Sequence, residues 1–476
     1  MEFPAEYASR TNEGNSKSTT VFVGIVVNGR LDINLLRLKA QELVSQWPLL
    51  GGVVLTKTSP YTLAKGSNCD FKARRVDADV SNYIPFDFRV NTADLSSNIP
   101  WVSIELSGVD SIIHFDAISA SELPPKAVFT LRVTVLNDST LLGFRMPHYL
   151  ADAQAMFDVV KAYCDLIAGR QLPMLVAPPD VEMPLSQLTK IDAQAPSSIQ
   201  PIDCLEKVKI CAADEVHSLG LWNSIRTAFG VLFAHFAQGL LQSTDFSERY
   251  IYLPKDLVCR LQIECQEELE RTSLADVKLS KTDVIAAWYL KTAFRNVAGD
   301  DGPFDAMHTM NHRFSCDPPK PGSTYLKNSQ YAMAIRWSSF KDFQSSSLAQ
   351  VALAFRMAVM QNKQPSVIKT FHEFYEKHAD SILSFGPEGN RIGFLSIYSS
   401  WSTFPFYDLD FSGALEKLDV PTTSEAGKVA FVHPSIYGPR GINIRPVTIV
   451  LKDGNGGFWL KSDLLRSAWK CMIKHE

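Results

Sequence analysis

The sequence predicts a mixed α/β protein of two domains, each a mixed sheet with flanking helices. At 476 residues the chain is too long for one compact core. Strand-like and helix-like runs intermix without the regular βαβ rhythm of a Rossmann fold. A polar, proline-rich stretch from Leu172 to about Ala213 separates two halves that both contain such runs. We therefore expect an N-terminal domain over 1–180, a crossover linker over 181–215 and a C-terminal domain over 216–476.

Composition excludes several classes of function. With 46% hydrophobic and 21% charged residues and a net charge of −4, the chain has the profile of a globular protein without a nucleic-acid-binding surface. Its eight cysteines form no CxxC pair and no zinc spacing, so we expect reduced thiols and no metal site. The first 17 residues are polar and lack the apolar core of a signal peptide. These features favour a cytoplasmic protein, and a monomer is the default expectation.

One apolar stretch raises the question of whether the protein spans or contacts a membrane. Leu219–Leu241 is strongly hydrophobic, but Asn223, Arg226 and His235 interrupt it. Such residues argue against a membrane-spanning helix. A buried helix of the second domain is the preferred interpretation, and contact with a membrane surface is the alternative.

In the first half, hydrophobic periodicity predicts each element in turn. Alternation with period two and β-branched residues indicates strands, and apolar residues at spacings of three and four indicate helices. The predicted strands are Thr19–Val27, Val53–Leu55, Trp101–Leu106, Ile112–Phe115, Ala127–Leu136 and Thr140–Met146, and the predicted helices run from Asp32 to about Trp47 and from Ala155 to Ile167.

The second half is predicted in the same way. Gly454–Gly457 falls between two strand-like runs, which is typical of a hairpin turn and not of a phosphate-binding loop. The predicted strands are Arg249–Leu253, Ala306–Arg313, Ser329–Trp337, Phe394–Ser400, Val447–Leu451 and Phe458–Lys461, and the predicted helices are Lys255–Glu270, one capped by Ser280 or Thr282, Ser347–Met360, Val367–Leu383 and one at the C-terminus.

The strongest chemical signal is His148 with Asp152 four residues later, where the central hairpin meets a helix. A histidine at a strand end can be held rigidly and still face a cleft, which suits a general base. Taken alone, a histidine in such a pair is more often structural than catalytic, and Asp152 could simply be the N-cap of the helix. The motif is too short to decide between these interpretations without its context.

The context resembles the BAHD (HxxxD-motif) acyl-CoA-dependent acyltransferases of the fungal natural-product type. The resemblance covers most of the chain, with landmarks in the family's order. These landmarks are the turn Trp47–Gly51 after the first helix, the strand–hairpin–HxxxD segment Phe129–Asp152, the helix entrance Lys278–Trp288, the strand end Asn311-His312-Arg313, the Tyr-x-x-Asn loop Tyr325–Asn328 and the segment Ser399–Phe411.

The resemblance implies two chloramphenicol-acetyltransferase-like domains with the active-site channel between them. His148 would be the general base that accepts the proton of an acceptor hydroxyl. The Trp401 indole N–H or the Ser399 hydroxyl would stabilise the oxyanion. Asp152 would turn away from His148 and pair with Arg313, which would fix the strand end that aims the imidazole.

The resemblance also implies a set of CoA contacts. Lys278 and Ser280 are the candidates at the helix entrance, although an exposed lysine and a helix cap explain them equally well. In the Asp-Phe-Gly-Trp-Gly motif of the family, Asp410 and Phe411 stay in register, and Gly413 is displaced by one. Asp410 would support the fold, and Phe411 and Gly413 would lie on the CoA side.

The sequence therefore predicts an enzyme that transfers an acyl group, by default acetyl, from CoA to a hydroxyl of a specialised metabolite. Acyl-CoA would be a co-substrate, with no tightly bound cofactor. A condensation-type enzyme is an alternative, but Pro147 stands where those relatives carry a second histidine. A cyclase or a metabolite-binding protein without CoA is another, which the altered segment Asp410–Ala414 leaves open.

Overall fold

The computed structural model describes most of the chain outside the predicted linker. It covers residues 19–55, 62–64, 66, 69–84, 99–106, 108–115, 127–148, 150–176, 206–211, 216–218, 246–272, 274–295, 302–313, 320–377, 383–385, 394–417, 424–437 and 447–473. The apolar stretch Leu219–Leu241 lies outside these residues. Among the helices within them, none has the length and hydropathy needed to cross a bilayer.

The described residues form the following strands and helices. The strands are β1 Thr20–Asn28, β2 Val53–Leu55, β3 Thr62–Ala64, β4 Asp70–Arg75, β5 Trp101–Val102, β6 Thr130–Val135, β7 Ser139–Pro147, β8 Met174–Leu175, β9 Val208–Cys211, β10 Val216–Ser218, β11 Phe246–Leu253, β12 Phe304–Asn311, β13 Ser323–Thr324, β14 Gln330–Trp337, β15 Leu383–Phe385, β16 Phe394–Ser400, β17 Val429–Tyr437, β18 Val447–Lys452 and β19 Phe458–Leu465. The helices are α1 Ile33–Gln46, α2 Val109–Ile113, α3 Ala153–Ile167, α4 Lys255–Glu270, α5 Lys281–Ala293, α6 Phe340–Ser345, α7 Leu348–Asn362, α8 Pro365–Lys377 and α9 Arg466–Ile473.

The first sheet has the strand order β17-β1-β7-β6-β4. Strand β1 is buried along almost its whole length because α1 and α3 cover one face of the sheet and the second sheet lies toward the other. Its antiparallel partner β17 comes from the far end of the sequence, with Thr20 opposite Tyr437. Strand β7 pairs on the other side of β1 and brings Pro147 opposite the same Thr20. The sheet thus places His148, the next residue, at its edge beside the start of β1.

The second sheet has the strand order β5-β11-β19-β18-β16-β12-β14-β9. Helices α4, α5 and α7 pack on one face and form a separate hydrophobic core with it. Strand β5 comes from the N-terminal half and pairs with β11. Each sheet therefore contains a strand from the opposite end of the chain. The bounds 1–180, 181–215 and 216–476 stay a prediction, since sheet membership does not follow chain order.

Two predicted elements differ in type from the structure, and the strand predicted over Trp101–Leu106 is limited to Trp101–Val102. Ile112–Phe115 was expected to be a strand, but residues 109–113 form α2. The helix lies directly on two glycines of the first sheet: a Cβ added to Gly24 would come within 2.8 Å of an Ile113 methyl group, and one added to Gly143 within 2.5 Å of the Ile113 carbonyl oxygen. The helix predicted over Val367–Leu383 ends at Lys377 as α8, and Leu383 begins β15. A short apolar run does not distinguish helix from strand by its periodicity.

The faces of the two sheets that carry no helix core lie toward each other. Residues directly opposite in paired strands share a face, because side chains alternate along each strand. On the second sheet, Thr309 is opposite Ser399, Ser399 opposite Ile449, and Ile449 opposite Lys461. Ile449 packs in the same hydrophobic cluster as the first sheet, which identifies this face as the one that meets it. We call the space between these two faces the channel.

Candidate active site

His148 lies where β7 ends and the chain turns toward α3. Its backbone N–H donates to the Thr19 carbonyl at 2.8 Å, which ties the turn to the start of β1. The side chain is buried, with 7% of its surface exposed. Four residues later Asp152 caps α3 by accepting from the Ala155 N–H at 2.8 Å. Strand, turn and cap together fix the backbone on both sides of the imidazole.

Asp152 faces away from His148 and joins the two halves of the chain. Besides the helix cap, its Oδ1 accepts from the Arg313 guanidinium at 3.2 Å and its Oδ2 from the Ser329 N–H at 2.8 Å. Arg313 also donates to the carbonyls of Tyr325 and Lys327. Both charged groups are almost completely buried. The structure therefore places Asp152 and Arg313 as an ion pair that holds the loop 325–329 beside the end of β7.

His148 is held as a neutral base. Burial lowers the pKa of its imidazole below the ordinary value of 6.5, although the carbonyls of His148 and Ala151 and the charge on Asp152 partly oppose this shift. Its Nε2 lies 3.1 Å from the side-chain nitrogen of Gln330. An amide nitrogen can only donate, so with the Gln330 amide in this orientation Nε2 accepts and the imidazole proton lies on Nδ1. The nitrogen with the lone pair is the one on the side of the second sheet, to which Gln330 belongs.

Ser399 is the centre of a second polar group on the channel face. Its Oγ accepts from Trp401 Nε1 at 3.1 Å and from Thr309 Oγ1 at 2.9 Å. Two donors occupy both lone pairs of a hydroxyl, so the Ser399 proton is left to donate to a third group. Of the two oxyanion donors that the sequence suggested, Trp401 is committed to Ser399, and the Ser399 O–H is the one directed outward. Trp401 itself is buried in the first hydrophobic core.

Two residues of this arrangement were missed by the sequence analysis. Gln330 contacts His148, and Thr309 supports Ser399. In β12, Asn311 is opposite Gln330 and Thr309 is opposite Ser399. Because Asn311 and Thr309 are two residues apart on one face of β12, Gln330 and Ser399 lie on that same face. Gln330 and Thr309 were both placed correctly on strands, but no local motif distinguishes them. Only the register of β12 with its two neighbours indicates that they share a site.

Lys278 and Ser280 lie on the connection between α4 and α5. Ser280 caps α5 in a reciprocal arrangement with Asp283, so its hydroxyl already has a structural partner. Lys278 is 71% exposed, 3.6 Å from a carboxylate oxygen of Glu270. Among the described contacts, none joins either residue to His148.

The segment from Asp410 to Ala414 packs against the first sheet and the end of α3. Asp410 forms an ion pair with Lys428. Burial raises the pKa of the Asp410 carboxyl, but hydrogen bonds from Lys428 and Ser412 outweigh this effect and lower the pKa to about 2. The Phe411 ring is completely buried in the first core, and a Cβ on Gly413 would lie 2.7 Å from the Ile167 carbonyl oxygen. Phe411 therefore fits a packing role in this structure and presents no surface to a ligand, whereas Gly413 packs against the end of α3 and is exposed.

Comparisons with known proteins agree with this arrangement. A family model described as "Transferase family" matches residues 110–453. The acetyltransferase peniE of Penicillium patulum is 30% identical, over 99% of this chain and 97% of that protein. The acetyltransferase pyiB of Pyricularia grisea is 21% identical, over 81% of this chain and 75% of that protein.

Solved structures show the same fold at low sequence identity. TRI101 of F. sporotrichioides, in complex with coenzyme A and T-2, has a TM-score of 0.66 and 12% identity, covering 98% of this chain and 96% of that one. Vinorine synthase has a TM-score of 0.59 and 12% identity, covering 98% of this chain and 91% of that one.

Proposed function

The chain belongs to the Transferase family, the BAHD-type acyltransferases, and on this premise we propose that His148 is the general base for acyl transfer to a small-molecule hydroxyl. The enzyme is an acyl-CoA-dependent acyltransferase. The observation that carries the proposal is the buried, neutral imidazole whose Nε2 lone pair is turned toward the second sheet. Acetyl is the proposed acyl group, because the relatives from Penicillium patulum and Pyricularia grisea are named acetyltransferases.

In the proposed reaction His148 first accepts a proton and later returns it. An alcohol is a weak nucleophile at neutral pH, so Nε2 removes its proton as the oxygen attacks the thioester carbon. The new C–O bond gives a tetrahedral intermediate with a negative oxygen. This intermediate collapses with cleavage of the C–S bond, and the imidazolium gives its proton to the departing thiolate. The products are the ester and free CoA, and the base is regenerated.

Ser399 is proposed to stabilise the negative oxygen. Trp401 and Thr309 fix its Oγ from two sides, which leaves the O–H as a preoriented donor. A fixed donor in a water-poor site stabilises charge that develops only in the transition state. Asp152 contacts no reacting atom in this scheme. It is a positioning residue, which acts with Arg313 through the backbone next to His148.

Lys278 is the proposed contact to CoA, at the connection between α4 and α5. Lys278 exposes its ammonium group to solvent, where it can attract the phosphates of CoA. Ser280 next to it holds the start of α5 in place. We expect Lys278→Met to raise the KM for acetyl-CoA with little change in kcat.

Thiol release from acetyl-CoA tests the proposal directly. Wild type and His148→Ala are assayed with a panel of alcohols, and product esters are identified by mass spectrometry. The control variant is His308→Gln, which removes an equally buried imidazole from the opposite, helix-covered face of the second sheet. Alcohol-dependent release that collapses only in His148→Ala supports the proposal. Release that persists in His148→Ala contradicts it.

A second candidate function is catalysis or metabolite binding without CoA. The complete burial of Phe411 in the first core favours it, because this ring offers no surface to CoA. Isothermal titration with CoA separates the two. Saturable binding excludes the second candidate, and the absence of binding together with an active His148-dependent turnover of another substrate favours it.

A further inference from the structure

A polar cavity lies between the two sheets, at a distance from His148. It encloses about 310 Å³ of atom-free space, including space open to solvent. Ser435 of β17 lines it on the side of the first sheet, and Glu248, Ile449 and Lys461 line it on the side of the second. Only about 20 Å³ of it can hold the centre of a water-sized sphere, which is room for one water molecule or one hydroxyl group.

Lys461 is the buried cation of this cavity. Only 6% of its surface is exposed. Its ammonium group donates to Ser435 Oγ and forms an ion pair with Glu248 Oε2 at 3.0 Å. An ammonium group has three N–H donors, and among the described residues only these two partners contact it. The third N–H is therefore available to a group inside the cavity.

Glu248 supplies the complementary acceptor. One carboxylate oxygen pairs with Lys461, and within the described part of the chain no donor contacts Oε1. A group that accepts from Lys461 and donates to Glu248 satisfies both residues. A hydroxyl group does this. A carboxylate would be repelled by Glu248. A carbonyl could accept from Lys461, but it has no proton to donate to Glu248.

A hydrogen-bonded network fixes Ser435 and thereby Lys461. Ser435 donates to Asp110 Oδ1 at 3.3 Å, and His433 Nε2 donates to the same oxygen at 3.0 Å. Tyr250 donates to His433 Nδ1 at 2.8 Å. Burial raises the pKa of the Asp110 carboxyl, but the neighbouring His433 and Lys461 outweigh this effect and hold the pKa below its ordinary value. The network joins both sheets and keeps the cavity polar and preformed.

The same residues could suggest a metal site, but Lys461 argues against it. Ligand atoms of Asp110, Glu248 and His433 lie within 4.8 Å of one another. The Lys461 ammonium already bonds to Glu248 at the edge of this group. A divalent cation at the same place would face its repulsion. Lys461 thus provides the positive charge that balances the carboxylates of Glu248 and Asp110.

The spacing of the strands gives the distance from this cavity to the reacting groups. Lys461 is two strands from Ser399, through Ile449, so about 10 Å separates their Cα atoms. On the first sheet, Ser435 is separated by two strand spacings and two residues from Pro147, which precedes His148. The Cα atoms of Ser435 and Pro147 are therefore about 12 Å apart. A small molecule with hydroxyl groups at its two ends would need a length of this order to contact both His148 and Lys461.

We infer that Lys461 and Glu248 form an acceptor subsite that binds a second hydroxyl group, so that the preferred acceptors are diols or polyols with hydroxyls on the order of 10 Å apart. The inference rests on the proposed function, because it takes the hydroxyl at His148 as the acylated one. It extends that function by naming the class of acceptor.

The test compares alcohols that differ only in the second hydroxyl. Wild type is assayed by thiol release from acetyl-CoA with straight-chain α,ω-diols from hexanediol to dodecanediol and with the mono-alcohols of the same length. We expect kcat/KM to favour the diol at the best length by about tenfold or more, as for a hydrogen bond to a charged group. Lys461→Met should bring the diol-to-mono-alcohol ratio close to one. Lys452→Met, an exposed lysine at the end of the neighbouring strand β18, should leave the ratio unchanged.

Several results would overturn the inference. The first is the absence of a diol preference in wild type at every length, and the second is a preference that survives Lys461→Met. A rise in KM for acetyl-CoA in Lys461→Met with the diol preference intact would assign the cavity to the CoA arm instead. If Lys461→Met does not fold, Glu248→Gln decides: a reduced ratio supports the subsite, and an unchanged ratio overturns it. Mono-alcohol turnover that depends on His148 keeps the proposed function separate from each outcome.

Discussion

Replacement of Asp152 by alanine should destabilise the protein more than the loss of a helix cap can explain. The carboxylate makes three contacts: with the Ala155 N–H at the start of α3, with the Arg313 guanidinium, and with the Ser329 N–H. The alanine variant loses all three at once. It also leaves Arg313 buried, with 1% of its side chain exposed and no counter-charge from Asp152.

The magnitude follows from these contacts. Loss of an N-cap costs about 1 kcal/mol, and a buried charge left without its partner costs about 3–5 kcal/mol. We therefore expect the free energy of unfolding to fall by about 4–6 kcal/mol, a large part of the total stability of a typical protein. If the chain unfolds as one unit, its unfolding entropy is about 1 kcal/mol per kelvin, and the midpoint falls by about 4–6 °C.

Thermal unfolding followed by tryptophan fluorescence measures this change. Asp32→Ala is the matched control, since Asp32 caps α1 with its side chain but has no buried arginine partner among the described residues. Its midpoint should fall by only about 1 °C. In the double variant Asp152→Ala/Arg313→Met, much of the lost stability should return, because neither charge of the ion pair remains buried without the other. Equal shifts for Asp152→Ala and Asp32→Ala would refute the reasoning.

Three further predictions concern the site and its support. Because burial lowers the pKa of His148, the imidazole stays neutral as the pH falls, so the acidic limb of a kcat/KM profile should lie below pH 6.5; a limb above this value contradicts the proposed environment. Ser399→Ala should lower kcat about 100-fold in steady-state assays while the KM for acetyl-CoA changes little, and a loss that falls on KM alone would exclude an oxyanion role. Gly413→Ala should lower stability by about 1–3 kcal/mol in urea titrations, because its Cβ would lie 2.7 Å from the Ile167 carbonyl oxygen. Gly454→Ala is the control, with an ordinary contact at 3.9 Å, and an equal effect of both would contradict this account.

The parts of the fold that depend on local patterns were predictable from the sequence. The two-domain α/β fold is confirmed by the likeness to TRI101 and vinorine synthase. Strands β6 and β7 and helix α3 were predicted because their alternation, turn residues and cap are all contained in one segment. Asp152 as the cap of α3 was one of the two interpretations left open, and the structure shows that the same carboxylate both caps the helix and pairs with Arg313.

Long-range pairing could not be predicted in this way. Nothing in residues 429–437 indicates that β17 adds to β1, about 400 residues earlier in the chain. The same holds for β5, whose two residues pair with β11. Because these two pairings build the space between the sheets, the neighbours of His148 and the cavity at Lys461 were inaccessible to local reasoning. Periodicity gives the face on which a residue lies, but not the strand that comes to lie opposite.

The alternation of side chains explains how the fold can persist while the chemistry of the channel varies. In β12, Ala306 and Met310 pack under the helices of the second domain, and Thr309 between them points into the channel. In β19, Leu460 belongs to the same core, and Lys461 next to it lines the cavity. A substitution at a polar position of the channel face, such as Thr309 or Lys461, therefore removes no contact of the helix-covered core. This separation is consistent with the fold shared with TRI101, which has a TM-score of 0.66 at only 12% identity.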